Sequence, residues 1–263
     1  MSTGNACFTL EPLGFSPKNY PGLIAWYDID SVIFADATGI GGLRDKSSNN
    51  NRVIASNGFT KINPEDPTGI RYSDNLHINT TPLEFASEPI GLTVFLVATN
   101  NIDNTDNREK YQNYLTIFED ENNNPIKIGI DNFYDTIYIK SDSYQDGVIV
   151  GNIIPNTRNI INAICFNPNN KIFSGATYQN GRLIYHIEST SLTINKNINS
   201  FNITIGDDGT NSEQPHNPLN NIIYEIIIYN RALSENDISS INRYLGEKYK
   251  IPLNNSGNFN YKE

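Results

Sequence analysis

Carboxylates are the side chains of this sequence whose type and spacing could support catalysis, because a pair of them can act as general acid and as nucleophile or base. The densest acidic run is Glu119-Asp120-Glu121, and the residues NNNP follow it directly. Asparagine and proline are typical turn residues, so this run predicts a hairpin turn and not a catalytic strand. Glu225 stands alone in an apolar run, and we interpret it as a structural, partly buried acid.

The sequence contains no pattern typical of other kinds of catalytic site. The histidines His77, His186 and His216 lie far apart and lack the spacing of metal ligands. No serine, cysteine and histidine pattern indicates a nucleophile with its base, although such triads are assembled in space. The glycine-rich segment 39–42 lacks the lysine of a phosphate-binding loop. The sequence therefore predicts a protein that is not an enzyme.

The charge balance limits the partners that we expect. The chain of 263 residues has a formal net charge of -10, and lysine and arginine never form a run longer than a pair. Because phosphate binding needs clustered basic residues, we expect no nucleic-acid partner and no binding to anionic membranes. No apolar stretch approaches the roughly 20 residues that span a bilayer, so we expect no membrane insertion.

The first residues and the cysteines indicate where the chain is made. The start of the sequence lacks the basic and apolar regions of a secretory signal, so we expect no export by the standard route. Cys165 lies in an apolar run and Cys7 near the start, and two cysteines in a chain of this length are not a disulfide framework. We therefore expect synthesis in a reducing cytoplasm.

Strands dominate the predicted elements. Short runs of β-branched and aromatic residues alternate with turn residues rich in asparagine, which is typical of antiparallel sheets. Asn180-Gly181 between two such runs is a strong hairpin signal. No compositional break indicates a second domain. The predicted strands are 22–27, 92–98, 114–118, 126–130, 136–140, 160–166, 171–178, 182–188, 192–194, 201–205 and 222–229.

The end of the sequence predicts a buried strand followed by one short helix. Ser234 stands three residues before Asp237, which is a helix-start pattern, and Pro252 ends the segment. Apolar residues between them recur at helical spacing. These are Ile238, Ile241, Leu245 and Tyr249. If side chains simply alternate along this strand, Ile223, Glu225 and Ile227 lie on one face of the sheet. The other face then carries Ile222, Tyr224, Ile226 and Ile228.

Six segments, in order, resemble a known family. The segments that match its motifs are residues 22–28 (GLIAWYD) with Ser31, 45–50 (DKSSNN), 92–97, 178–181 (YQNG) and 225–249. Residues 70–76 correspond only loosely, with residues of the motif missing. The chain is similar to the laminin-G-like, concanavalin A-like β-sandwich family, in the branch found in phage, giant-virus and bacterial surface proteins. It departs from the family pattern at two positions, which are Leu43 in place of Trp and Asn50 in place of Gly.

The resemblance implies an all-β fold: a two-sheet antiparallel jelly-roll sandwich, concanavalin A-like, with one short C-terminal helix. We expect residues 1–12 to form an arm, residues 13–252 a single sandwich and residues 253–263 a flexible polar tail. Two packed sheets bury the residues between them, so Trp26 in the first strand is expected in the core.

Calcium and glycans are the ligands that the resemblance suggests. No cofactor is required, but many relatives hold Ca²⁺ at the sandwich rim, and Asp207 and Asp208 in the loop 206–209 are the best candidates. Further calcium candidates are Asp28, Asp30, and Asp120 with Asn122. The tyrosines placed for glycan stacking are Tyr111, Tyr134 and Tyr144.

The first functional hypothesis is a non-enzymatic virion surface protein, a capsid-decoration or fibre subunit, displaying the sandwich for attachment to glycans or the host surface. It would be made in the host cytoplasm, form oligomers, and bind other virion or surface-assembly proteins through residues 1–12. One alternative is a carbohydrate-binding or adhesion module of a bacterial surface, located outside the cell. A second alternative is a glycoside hydrolase, in which Glu119 or Glu225 would be catalytic.

Overall fold

The structure is a computed structural model, and it describes a defined part of the chain. The described residues are 14–34, 40–51, 53–55, 61–62, 69–71, 78–80, 83–84, 92–99, 111–118, 126–131, 136–141, 148–152, 158–162, 173–189, 200–205 and 222–253. Within these ranges the chain is mostly strands in antiparallel sheets with one α-helix. The all-β prediction is confirmed at that level, and the division into arm, sandwich and tail stays a prediction.

The strands are two to eight residues long. They are β1 (Leu23–Asp28), β2 (Val32–Phe34), β3 (Ile40–Leu43), β4 (Val53–Ala55), β5 (Lys61–Ile62), β6 (Ile70–Arg71), β7 (Ile78–Thr80), β8 (Leu83–Glu84), β9 (Thr93–Thr99), β10 (Tyr111–Phe118), β11 (Ile126–Asp131), β12 (Thr136–Ser141), β13 (Val148–Asn152), β14 (Arg158–Asn162), β15 (Phe173–Gln179), β16 (Arg182–Ser189), β17 (Ser200–Ile205) and β18 (Ile222–Tyr229). The helix α1 covers Glu235–Tyr249, and single 3-10 turns cover Pro17–Asn19 and Ile29–Ser31.

The described strands form two sheets. One has the order β16-β15-β14-β9-β18-β6-β5, and β1 also pairs with β18. The other has the order β13-β12-β11-β10-β17-β7-β4-β3-β2, and β8 also pairs with β17. In the first sheet β18 lies between β9 on one side and β1 with β6 on the other. The last strand is therefore central, which explains its almost uninterrupted apolar sequence.

Simple alternation fails in β18, and the predicted division of its faces is wrong. A register irregularity between Ile223 and Glu225 in the pairing with β9 inserts one extra residue. A bulge of this kind shifts every later side chain to the other face. The residues of β18 that join the main core cluster are Ile222, Tyr224, Ile227 and Tyr229, while Ile226 and Ile228 are buried outside it.

The core described here lies between the first sheet and α1. Trp26, Phe95 and Ile227 are opposite one another across β1, β9 and β18. The buried face of α1 packs against them with the four residues predicted from helical spacing, Ile238, Ile241, Leu245 and Tyr249. Burial of this apolar face stabilises a short helix that would be marginal on its own.

Local signals set the boundaries of α1 as the sequence predicts. The hydroxyl of Ser234 accepts a hydrogen bond from the backbone N–H of Asp237 at 3.2 Å. Lys250 ends the helix in the left-handed conformation, with φ of 55°, and Pro252 follows it. No helix among the described residues combines the length and apolar character needed to cross a membrane.

Most predicted strands are confirmed within two or three residues of their bounds. The hairpin between β15 and β16 is also confirmed, with φ of 50° at Asn180 and 81° at Gly181. The strands β2 to β8 and β13 were not predicted, because they are only two to five residues long and so show no clear periodicity. Residues 163–166 and 192–194, which we predicted to be extended, lie outside the described residues.

Candidate functional site

Two carboxylates and a lysine meet beneath α1. Asp28 ends β1 and Glu225 is its direct partner in β18, so both side chains emerge on the same face of the sheet. Lys248, in the last turn of α1, reaches down between them, with Nζ 2.8 Å from Asp28 Oδ2 and 2.8 Å from Glu225 Oε2. The side chain of Lys248 is 2% exposed and both carboxylates are 0% exposed.

Aromatic residues surround this ion pair and supply further hydrogen bonds. The indole N–H of Trp26 donates to Glu225 Oε1 at 2.7 Å, and the hydroxyl of Tyr249 donates to Glu225 Oε2 at 2.7 Å. Lys248 also donates to the hydroxyl of Tyr244 at 3.2 Å. We call Trp26, Asp28, Glu225, Tyr244, Lys248 and Tyr249 the Lys248 cluster. Its buried charges are paired and hydrogen-bonded, as burial requires.

A second lysine borders the cluster from outside. Lys46 Nζ lies 2.7 Å from Asp28 Oδ2, and 4.2 Å from the centre of the Trp26 ring. Its side chain is 23% exposed, so this pair is partly open to water. The other oxygen of Asp28, Oδ1, accepts hydrogen bonds from the backbone N–H of Asp30 at 3.1 Å and the hydroxyl of Ser31 at 3.3 Å.

The electrostatics of the cluster follow from burial and charge. Burial opposes ionisation of Asp28, but Lys248 and then Lys46 outweigh it, so the pKa of Asp28 lies below its usual range. Burial raises the pKa of Glu225, and the carboxylate of Asp28 adds to this against the effect of Lys248. Burial lowers the pKa of Lys248, but Glu225 and Asp28 raise it above its usual range. Asp28 and Lys248 are therefore held as an ion pair.

A second buried carboxylate lies on the other side of Trp26. Asp45 Oδ1 accepts from the backbone N–H groups of Trp26 at 3.0 Å and Ser47 at 2.7 Å. Its Oδ2 accepts from the hydroxyl of Ser47 at 2.6 Å and the backbone N–H of Asn51 at 3.0 Å. We call residues 45–51 the Asp45 turn. Within it Ser48 and Asn50 have φ of 90° and 60°, and Asn50 stands where the resembling family has glycine.

The Asp45 turn is fastened to the first strand. The side-chain amide of Asn51 donates to the carbonyl of Ile24 at 2.6 Å, and that of Asn49 donates to the carbonyl of Leu23 at 2.7 Å. The hydroxyl of Tyr27 donates to the carbonyl of Asn51. Burial, and then the charge of Asp45, raise the pKa of Tyr27 above its usual range. The motif DKSSNNN thus holds β1 in place and leaves the carboxylate of Asp45 fully engaged.

The predicted roles of Trp26 and Glu225 are confirmed. Trp26 is 2% exposed and belongs to the core, and Glu225 is a satisfied structural acid, buried more completely than we predicted. Asp28 does not fit the calcium role, because two ammonium groups already contact its Oδ2. Asp30 is exposed and offers its backbone N–H to Asp28. In the part of the chain that the structure describes, no group of three or more His, Cys, Asp or Glu residues could hold a metal.

The remaining candidates lie where the structure says nothing of their side chains. Tyr111 and His186 belong to β10 and β16 by their backbone. Residues outside the described ranges are Cys7, His77, Glu119, Asp120, Glu121, Asn122, Tyr134, Tyr144, Cys165, Asp207, Asp208 and His216, together with the arm 1–12 and residues 254–263.

Sequence reasoning missed the cations of the cluster, Lys248 and Lys46. One signal could have found them: a glutamate inside a buried strand requires a cation or several hydrogen-bond donors. Lys248 lies seven residues after Ile241 on the apolar face of the predicted helix, where a lysine is unusual. The pattern does not say which acid it meets, because Asp28 is 220 positions away.

Comparisons with known proteins bear on the fold. A scan against models of known protein families gives no match, and a search of curated proteins finds none either. Among solved structures, a Trypanosoma rangeli sialidase is similar at 12% identity and a TM-score of 0.59, over 89% of this chain and 34% of the sialidase. The same enzyme in complex with sialic acid matches at 12% identity over the same shares, with a TM-score of 0.58.

A second kind of protein has a similar structure. The receptor binding domain of botulinum neurotoxin C/D mosaic serotype matches at 17% identity and a TM-score of 0.58, over 84% of this chain and 51% of that domain. The chain thus spans about a third of the sialidase and about half of the toxin domain. These neighbours have β-sandwich folds, which is consistent with a concanavalin A-like type of fold. At this level of identity the likeness concerns the fold alone.

Proposed function

We propose that this chain is a non-enzymatic surface domain of a virion, built as a laminin-G-like jelly-roll sandwich, that attaches to glycans or to the host surface. The observation that carries the non-enzymatic part is the sealing of Asp28 and Glu225. These adjacent carboxylates are 0% exposed and bound to Lys248, so they lack access to a scissile bond. A glycosidase needs its two carboxyl groups open to the substrate.

Attachment is supported by the neighbours in structure. One of them is a sialidase seen in complex with sialic acid, and the other is a receptor binding domain. We propose that this chain shares the binding of a ligand with these neighbours but not the hydrolysis catalysed by the sialidase, because the chain spans only 34% of that enzyme. In β-sandwich proteins in general, binding residues often lie on the segments that connect the strands.

The virion context is supported by the sequence. Segments 22–28, 45–50, 178–181 and 225–249 resemble domains of phage and giant-virus surface proteins. In this proposal residues 1–12 bind a neighbouring subunit of the assembly, and the acidic sandwich is displayed outward as part of an oligomer. The alternative location is a bacterial surface.

Binding to a glycan array tests attachment directly. The purified chain is applied with Ca²⁺ and with a chelator, beside Asp207→Ala/Asp208→Ala and the control Glu247→Ala, whose side chain lies exposed on α1. We expect binding to a limited set of glycans, unchanged in the control. Loss of binding in the double variant and with chelator assigns the calcium site to 207–208. No binding to any glycan or to host cells rejects attachment.

Two further measurements test the rest of the proposal. Release of sugar from a bound polysaccharide, abolished by Glu119→Gln or Glu225→Gln, would show an enzyme and reject the non-enzymatic assignment. Fractionation of the producing cells tests the location. We expect the chain to sediment with assembled particles, and recovery with the cell surface alone favours the bacterial module.

A further inference from the structure

Lys248 is a buried primary amine whose chemistry the attachment function does not use. Its Nζ contacts two carboxylates, Asp28 and Glu225, each at 2.8 Å. Its side chain is 2% exposed, and Trp26, Tyr244 and Tyr249 enclose the same volume. An amine fixed beside a carboxyl group, with water excluded, has the proximity and the dry surroundings that favour amide formation.

We propose that Lys248 Nζ and Asp28 Cγ condense into an intramolecular amide bond, with Glu225 as the general base that transfers the proton. The roles follow from position. Lys248 is the nucleophile, and Asp28 is the acceptor because it holds a second cation and two further donors. Glu225 contacts the attacking nitrogen through its Oε2.

The reaction balances without a redox partner. The Nζ–Cγ bond forms and the bond from Cγ to Oδ2 breaks. The ammonium of Lys248 loses two protons, which leave with Oδ2 as one water molecule. One positive and one negative charge disappear together, so the product is a neutral amide. Glu225 accepts a proton from Nζ and returns it to the departing oxygen, ending as it began.

The two carboxylate oxygens of Asp28 have different contacts and therefore different roles in the proposed condensation. Oδ1 accepts from the backbone N–H of Asp30 and the hydroxyl of Ser31, and such donors stabilise the charge that develops on a tetrahedral intermediate. Oδ2 lies 2.7 Å from Lys46 Nζ and 2.8 Å from Lys248 Nζ, so donors surround the oxygen that leaves.

Discharge of the ion pair is the difficult step. The charged partners hold the pKa of Asp28 low and that of Lys248 high. Burial and the neighbouring Asp28 raise the pKa of Glu225, so it is the carboxylate better able to accept the proton of Lys248. Slow condensation after folding is therefore expected, with no added enzyme.

The bond would join β1 to the end of α1 across 220 positions of sequence. It would prevent the terminal helix from separating from the sheet when the domain is pulled or heated. Such a covalent connection suits a domain that is displayed on a surface and loaded by attachment.

Intact mass spectrometry of the denatured full chain tests the proposal. We expect a mass lower than that of the sequence by one water molecule, and a peptide map in which the fragment with Asp28 is joined to the fragment with Lys248. Lys248→Met and Glu225→Gln should show their calculated masses. Lys250→Met, an exposed lysine two residues away, should keep the loss of water.

The mass of the wild-type chain by itself shows whether the amide bond forms, so a variant that fails to fold does not weaken the test. A wild-type chain that keeps its full calculated mass after prolonged incubation overturns the proposal. A loss of water that persists in Lys248→Met also overturns it, because the dehydration then lies elsewhere. A loss that persists in Glu225→Gln overturns the role of Glu225 as base.

Discussion

Two buried carboxylate sites flank Trp26, and they solve the same electrostatic problem in different ways. Asp45 accepts the backbone N–H of Trp26, while Glu225 accepts its indole N–H. The other partners of Asp45 are dipoles within six residues of it in sequence. Glu225 is instead matched by an ammonium group on α1 and shares it with Asp28 on β1.

The two sites hold different parts of the molecule together. The Asp45 turn is local, because its donors come from its own loop and from the strand that it fastens. The Lys248 cluster is global, because its three charges come from the first strand, the last strand and the helix. Loss of a dipole removes one hydrogen bond, whereas loss of an ammonium leaves buried charge behind.

Lys248→Met should cause the largest loss of stability. It removes the cation from two carboxylates that are 0% exposed, and breaking a buried pair in this way costs about 3–5 kcal/mol. Denaturant unfolding of the variant and of Lys250→Met measures the difference. Lys250→Met should stay within about 0.5 kcal/mol of wild type. Equal stability of the two variants would mean that the Lys248 cluster contributes little to the fold.

Asp45→Asn should cost somewhat less. An amide keeps one acceptor oxygen, but its NH₂ group faces the hydroxyl of Ser47 and the N–H of Asn51, which are donors. Two hydrogen bonds to a charged group are lost, so we expect about 3 kcal/mol. Protease digestion should locate the damage at the turn while α1 stays protected. Release of α1 would contradict the local character of the Asp45 turn.

Trp26→Phe separates the two sites, because it deletes only the bond to Glu225. The backbone N–H that donates to Asp45 remains, and we expect a loss of about 2 kcal/mol for the indole bond to a charged acceptor. A double-mutant cycle with Glu225→Gln should show coupling. A matching cycle with Asp45→Asn should be nearly additive, and strong coupling there would join the two sites into one network.

Alkaline titration should give the smallest effect. Burial and then a nearby carboxylate raise the pKa of Tyr27 beside Asp45 and of Tyr249 beside Glu225. The folded chain keeps protons that the unfolded chain loses above about pH 10, so stability falls as pH rises, by at most about 1.4 kcal/mol per pH unit for each tyrosine. Tyr27→Phe and Tyr249→Phe should each flatten that slope. Tyrosinate absorbance that appears before unfolding in the wild-type chain and is reduced in Tyr27→Phe or Tyr249→Phe would show that these hydroxyls are not sealed.

Much of the fold could be predicted from the sequence because its signals are local. Ser234 and the apolar spacing of α1 predicted the helix, and Asn180-Gly181 predicted the hairpin. The division of faces in β18 could not be predicted, because a bulge depends on the register with β9. The motif DKSSNNN indicated a turn, but its fastening of β1 through Asn51 and Tyr27 depends on contacts between segments.

The features of the candidate site likewise fall into those that could be predicted from local sequence and those that could not. The sequence predicted that Glu225 is a structural, partly buried acid, that Trp26 belongs to the core and that the terminal helix has one apolar face. Periodicity and propensity act over a few residues, so these features can be read along the chain. The contact of Lys248 with both Glu225 and Asp28 could not be predicted from the sequence, because it depends on β1 pairing with β18 and on α1 packing over both strands. The energy of an ion pair depends on the distance between the charges in space, whereas Asp28 and Lys248 are 220 positions apart in the sequence.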